Sequence, residues 1–219
     1  MIRNIIWDVD GTIFDTYPAF TTAFERAMTK LGADVPSDWI LAAAKISLSH
    51  CASALANRCQ LEEAEIAHEF IVFYDQASPA EQPPFPGVLE ICQHICALGG
   101  KNVIVTHRES EGLVELLAVH NLTSYFSGWI TRDDGYPKKP DPSAFVAALN
   151  LHQLPPAETL AVGDRDIDTF AARSAGLFTC QFDPQNPATP ADLSISSFGD
   201  LYRYLKENQQ SSFCLVQSP

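Results

Sequence analysis

The chain has 219 residues, 46% hydrophobic and 19% charged, an ordinary globular composition with enough length to bury a substantial core. Its 27 acidic residues against 14 Lys and Arg leave a net charge of −13, which argues against a nucleic acid or an anionic membrane surface as partner. No apolar run approaches the length of a membrane-spanning helix, and any anionic ligand has to be drawn in locally against an unfavourable overall field.

At the N-terminus, Ile2, Ile5, Ile6 and Trp7 form a short apolar run of the kind expected for a strand buried on both faces of a parallel sheet. The run ends in Asp8-Val9-Asp10-Gly11-Thr12. Strand ends are where open α/β sheets place their chemistry. Two carboxylates held two residues apart are costly unless a cation or a shared proton relieves them. One reading is therefore a divalent-metal site with a carboxylate nucleophile. The other is a turn, because Asp and Gly are ordinary turn residues.

After Thr12 the period changes. Tyr17, Phe20, Phe24, Met28 and Leu31 recur at helical spacing, and Gly32 closes that helix. Further helical segments are predicted over Trp39 to Ile46, around Leu48 to Leu55, and from Leu61 to Tyr74, the last with Glu62, Glu63 and Glu65 in its first turns, where acids suit the helix dipole. Ser78 to Gly87, with Pro79, Pro83, Pro84 and Pro86, reads as a linker. Beyond it, strand and helix alternate. Strands are predicted at Asn102–Thr106, Phe126–Thr131, Thr159–Val162 and Leu177–Phe182. Helices are predicted at Val88–Leu98, Glu109–His120, Pro142–Leu149, Ile167–Ala175 and Ser197–Lys206, with a polar, frayed tail from Asn208 to Pro219. This alternation predicts an α/β fold, a doubly wound parallel sheet made of 1–15 and 84–219, interrupted by a small all-helical domain over 16–83. The two linkers fall near Phe14-Asp15 and Pro83 to Pro86 and would permit a hinge.

Six cysteines are present, Cys51, Cys59, Cys92, Cys96, Cys180 and Cys214, with no CxxC pair. Cys92 and Cys96 sit at helical spacing in an apolar stretch and read as buried free thiols. With an N-terminus that enters a strand and shows no signal peptide, a cytoplasmic location is expected.

Three further strand ends or loops carry polar residues. They are Thr106-His107-Arg108, Lys138-Lys139-Pro140-Asp141-Pro142, and Gly163-Asp164-Arg165-Asp166-Ile167-Asp168. Gathered on one edge of a parallel sheet, they supply carboxylates, a hydroxyl and a lysine, the inventory that phosphoryl transfer requires. With these four motifs in order, the chain resembles the haloacid dehalogenase superfamily, and within it the phosphatases with a helical cap, of the phosphoglycolate-phosphatase type. The resemblance covers nearly the entire chain.

The resemblance implies that Asp8 is the nucleophile, becoming an aspartyl-phosphate, and that Asp10 is the general acid and then the base that activates water. Thr106 and Lys139 would hold the phosphoryl group, with Thr12 and Arg108 as further phosphate or substrate contacts. Mg²⁺ would be held by Asp8, Asp164 and the backbone carbonyl of Asp10, with Asp168 orienting water at the metal. Asp166 falls outside the motif spacing and reads as a helix cap. His107 reads as capping or packing, and Arg108 equally as a surface ion pair. The cap residues Lys45, His50 and Arg58 are candidates to reach substrate, or simply lie on solvated helix faces.

The expected function is an Mg²⁺-dependent phosphatase acting on a small phosphorylated metabolite. The alternatives are a sugar phosphomutase resembling β-phosphoglucomutase and a catalytically silent binding protein of the same fold. Mutases of that type commonly carry Glu-Asp where this chain has Gly163-Asp164, which favours hydrolysis. Monomer and homodimer are equally compatible with the sequence.

Overall fold

The computed structural model describes residues 1–182 and 190–216, with side chains as far as residue 208. The N-terminal run forms β1 (Asn4–Trp7), and all four of its residues are buried. Asp15–Pro83 folds as one compact unit, while Met1–Phe14 and the chain from Pro84 onward form another. The two chain crossings lie side by side, with Phe14 and Pro84 in an antiparallel bridge and the Asp15 N–H donating to the Pro83 carbonyl at 2.9 Å.

The inserted unit is all-helical. Its elements are α1 (Tyr17–Lys30), α2 (Ser37–Ile46), α3 (Leu48–Cys59) and α4 (Glu63–Tyr74). Gly32 follows α1 at φ +80°, a left-handed conformation that glycine adopts without steric cost, and it turns the chain there. The core of this unit includes an aromatic cluster. Phe24 stacks on Phe70 at 4.1 Å between ring centroids, and Phe20 and Tyr74 pack beside them.

The remainder contributes α5 (Val88–Ala97), β2 (Asn102–Val105), α6 (Ser110–Val119), β3 (Phe126–Ile130) and α7 (Ser143–His152). It continues with β4 (Thr159–Gly163), α8 (Asp166–Ser174), β5 (Phe178–Phe182), β6 (Leu193–Ile195) and α9 (Phe198–Val216). The strands form one parallel sheet in the order β3-β2-β1-β4-β5-β6. Successive strand residues face opposite sides. Ile5 and Trp7 thus pack with Ile104, Leu160 and side chains of α5, α6 and α9, whereas Ile6 packs with Val103, Val105 and side chains of α7 and α8. Helices cover both faces, as a sheet of near-continuous hydrophobic strands requires. One buried polar pair is built into this core. Trp7 Nε1 donates to Asn102 Oδ1 at 3.0 Å, and Asn102 Nδ2 donates in turn to the carbonyls of Cys92 and Tyr125.

Several expectations need correcting. Strand β6 was not anticipated, because three residues with a serine between Leu193 and Ile195 carry too little periodicity to register. Helix α9 runs past Asn208 to Val216, since no Gly or Pro interrupts it after Gly199; residues 217–219 of the expected frayed tail lie outside the described residues. Cys92 is buried but Cys96 is exposed, one turn further round α5, and the side chain of Cys214 lies outside the described residues. Asp166 is the first residue of α8 rather than its cap, and its carboxylate accepts from Gln181 Nε2 at 3.1 Å.

Candidate active site

β1 occupies the middle of the sheet, between β2 and β4, where the strand order changes direction, the place at which open α/β sheets put their ligand sites. Asp8 follows it directly, and its backbone N–H still pairs with the Val162 carbonyl at 2.9 Å. Gly11, at φ +78°, turns the chain back so that its N–H meets the Phe14 carbonyl at 2.9 Å. Thr12 is fully buried in this turn, and no hydrogen-bond partner meets its hydroxyl among the described residues.

Lys139 arrives from the segment between β3 and α7, and its side chain is 1% exposed. Its Nζ donates to Asp8 Oδ1 and to Asp168 Oδ1, each at 2.6 Å. One ammonium thus holds two buried carboxylates from opposite ends of the sequence. The second oxygens of these carboxylates are treated differently. Asp168 Oδ2 accepts from the Arg165 N–H at 3.3 Å, whereas Asp8 Oδ2 is buried without a hydrogen-bond partner among the described residues.

That difference accounts for the electrostatics. Burial pushes the Asp8 carboxyl up to about 6; Lys139 counters this and the Asp168 charge adds to it. Burial acts on Asp168 in the same sense, but Lys139, Arg165 and the backbone donor together hold it below the usual carboxylate range. Burial alone would lower Lys139, and the two carboxylates keep it above its ordinary value instead. Its charge is therefore secure.

Asp164 completes a trio. Asp8, Asp164 and Asp168 each offer a carboxylate oxygen, and these oxygens lie within 4.8 Å of one another. An oxygen-only donor set with one buried oxygen that no proton donor meets suits a hard divalent cation such as Mg²⁺. The residues present therefore fit the metal. Asp10 is not part of the trio through its carboxylate, whose Oδ1 forms an ion pair with Arg108 Nη2. Lys139 is not the sole compensating charge: Arg108 pairs with Asp10, and Arg165 Nε lies 3.7 Å from Asp164 and 4.0 Å from Asp168.

Gly163 makes this arrangement possible. A Cβ placed there would lie 2.4 Å from Asp168 Cβ, far inside van der Waals contact. Gly163→Ala is expected to displace Asp168 from Lys139 and to destabilise the protein by about 1–3 kcal/mol, the usual cost of overpacking a filled site. Urea denaturation of the two proteins checks it; an unchanged midpoint would mean that Asp168 has room to move.

The remaining candidates separate cleanly. Thr106 is buried at the end of β2, and its Oγ1 accepts from the Arg108 N–H at 3.2 Å, leaving the hydroxyl proton to donate elsewhere. His107, read from the sequence as capping or packing, accepts at Nε2 from the Lys139 backbone N–H at 2.9 Å. Burial, with Lys139 and Arg165 nearby, pushes its pKa down to about 4, so it is neutral and able to accept. Nothing in Thr-His-Arg signals that pairing. Two of the cap candidates are engaged within their own unit, Lys45 over Tyr17 and Arg58 over Trp39, while the backbone N–H of the exposed His50 donates to Ser47 Oγ at the start of α3.

A family model described as haloacid dehalogenase-like hydrolase matches residues 5–182. Among curated relatives, phosphoglycolate phosphatase of Photobacterium profundum is 31% identical over 186 residues, covering 80% of this chain and 80% of that one. The phosphoglycolate phosphatase of Thiobacillus denitrificans is 30% identical with the same coverage. Among solved structures, a hydrolase from Deinococcus radiodurans with bound phosphate and sodium superposes with a TM-score of 0.80 over 94% of this chain and 96% of that one; at 16% identity the likeness is one of fold. Among the described residues, no helix is long and apolar enough to cross a membrane.

Proposed function

Because the chain belongs to the haloacid dehalogenase-like hydrolases, we propose that it is an Mg²⁺-dependent phosphatase that forms an aspartyl-phosphate on Asp8, with phosphoglycolate its foremost candidate substrate. Phosphoric monoester hydrolysis is the activity in the names of the curated relatives it matches. The observation that supports placing it at Asp8 is the buried Lys139 bridge to Asp8 and Asp168, beside an Asp8 oxygen that no donor meets.

Each residue then has a task. The Asp8 carboxylate attacks phosphorus; its O–P bond forms as the ester O–P bond breaks. Asp10 gives a proton to the departing oxygen and later takes one from the attacking water, which releases phosphate and restores Asp8. The Lys139 ammonium and the Thr106 hydroxyl donate to the phosphoryl oxygens, and Thr12 adds a buried hydroxyl in the same turn. When bound, Mg²⁺ supplies positive charge that draws the phosphoryl group to Asp8. Asp8, Asp164 and the Asp10 carbonyl would hold it. Both Asp168 oxygens already have partners, which favours Asp168 as the residue that orients rather than ligates.

Arg108 bears on the substrate. Its guanidinium, a planar fork of donors, stands beside Asp10. A carboxylate in the leaving part of the substrate is the kind of group such a fork recognises. This chemistry agrees with the names of the relatives, and it favours a small carboxylate-bearing ester over a neutral one. The packing of Gly163 against Asp168 weighs against a phosphomutase, because a glutamate side chain at 163 cannot coexist with Asp168 as placed.

The test is a screen of phosphoglycolate, sugar phosphates, nucleoside monophosphates, pyrophosphate and p-nitrophenyl phosphate with Mg²⁺, reading inorganic phosphate. Release is expected, fastest from phosphoglycolate. Saturating Mg²⁺ should also raise the melting temperature, by about 2.7 kcal/mol of stability at a hundred times Kd, and Asp164→Asn should remove that rise. Absence of Mg²⁺-dependent release from every ester, the aryl phosphate included, would refute the reading, and isomerisation of a sugar phosphate would move it to the mutases.

A further inference from the structure

The segment that delivers Lys139 has few anchors. Its start is tied to the end of β2, where the Arg132 N–H donates to the Arg108 carbonyl at 3.0 Å and the Ser110 N–H to an Asp133 oxygen at 2.8 Å. Its end bonds mainly to itself, through the Asp141 N–H to the Lys138 carbonyl and the Ser143 N–H to Asp141. In between lies a small cleft of about 20 Å³, room for little more than a water molecule, lined by Thr106, His107, Thr131, Tyr136, Lys138 and Lys139. A lysine stem has four rotatable carbons, so the place of Nζ depends on where the backbone at 139 is held.

We propose that His107 is a positioning residue for phosphoryl transfer: by accepting the Lys139 N–H at Nε2, it holds the segment that aims Lys139 at Asp8 and Asp168. The inference rests on the reading of Asp8 as nucleophile and extends it to a residue that touches neither substrate nor metal. A neutral imidazole that accepts at Nε2 carries its proton on Nδ1, and this tautomer is a direct signature of the arrangement. The acceptor matters more than bulk. His107→Gln carries a carbonyl oxygen at a reach similar to that of Nε2 and should retain the bond. His107→Phe fills the same volume without an acceptor on its rim, and leaves the Lys139 N–H bare beside the cleft.

Two measurements on the full chain test this. The first is ¹⁵N NMR of the metal-free protein, which needs no turnover. The Nδ1–H tautomer of His107 and a through-hydrogen-bond coupling between its Nε2 and the Lys139 amide nitrogen are expected; the Nε2–H tautomer would overturn the proposal. The second is steady-state kinetics with p-nitrophenyl phosphate. His107→Phe should lower kcat by roughly 10- to 100-fold with a smaller change in KM, as misplacement of a catalytic group by about 1 Å does, and His107→Gln should recover most of it. A folded His107→Phe with wild-type kcat, or one that loses only thermal stability, overturns the inference and leaves the hydrolase reading intact. Inactivity of the wild type toward every ester fails that reading instead, whatever the NMR shows.

Discussion

Asp8→Asn is expected to lower phosphate release by about four orders of magnitude or more, because a neutral amide cannot form the aspartyl-phosphate and effects of this size follow loss of a covalent nucleophile. The fold should survive. Asparagine keeps an oxygen where Asp8 Oδ1 accepts from Lys139, and Lys139 retains Asp168. The sign of the stability change can also be stated. A carboxyl raised from 3.8 to about 6 by burial adds stability while protonated, and that contribution is lost as pH climbs through this range. Near pH 7.5 without metal, the ionised Asp8 is thus a burden that the amide removes. The variant should melt no lower than wild type there, while failing to turn over any ester with Mg²⁺ present. Circular dichroism melts and phosphate release on the same samples check both halves. A folded variant within tenfold of wild-type activity would take the nucleophile's role away from Asp8.

Lys139→Met should have the largest effect on stability. It matches the stem in length and deletes the charge, so two buried carboxylates lose their shared partner at once. Removing one member of a buried ion pair costs about 3–5 kcal/mol, a large share of the 5–15 kcal/mol that holds a typical domain together. Saturating Mg²⁺ should return part of this loss by supplying the missing positive charge among Asp8, Asp164 and Asp168. Urea denaturation with and without Mg²⁺, at one ionic strength, measures both quantities. A loss below 1 kcal/mol in metal-free buffer would mean that the carboxylates take up protons or relax into water instead of depending on Lys139.

Much of this arrangement was legible in the sequence, for reasons that differ by element. β1, β2 and β4 are short apolar runs flanked by breakers, and each ends abruptly in polar residues, so strand and site announce themselves together. The helical unit is legible from its aromatic spacing. β6 was not, because a three-residue strand depends on its ladder with β5 more than on its own pattern, and the far end of α9 was not, because its polar run reads as a tail. The partnerships inside the site were the least legible. Lys139 and Asp8 are 131 residues apart and Arg108 and Asp10 are 98, and no local periodicity encodes which cation meets which carboxylate. His107 shows the same limit: its partner is a backbone N–H, which every residue except proline possesses.

The central place of β1 bears on how the protein comes into being. β1 leaves the ribosome well before its ladder partners, Asn102–Ile104 and Thr159–Val162. The helical unit between them is contiguous in sequence and needs only local contacts, which form quickly. During synthesis this unit can therefore close while Ile5, Ile6 and Trp7 wait uncovered, the kind of unpaired apolar segment on which nascent chains aggregate and chaperones act. The aspartate trio inherits the same schedule: Asp8 is made long before Asp164 and Asp168, and the three carboxylates can meet only after translation has passed the start of α8.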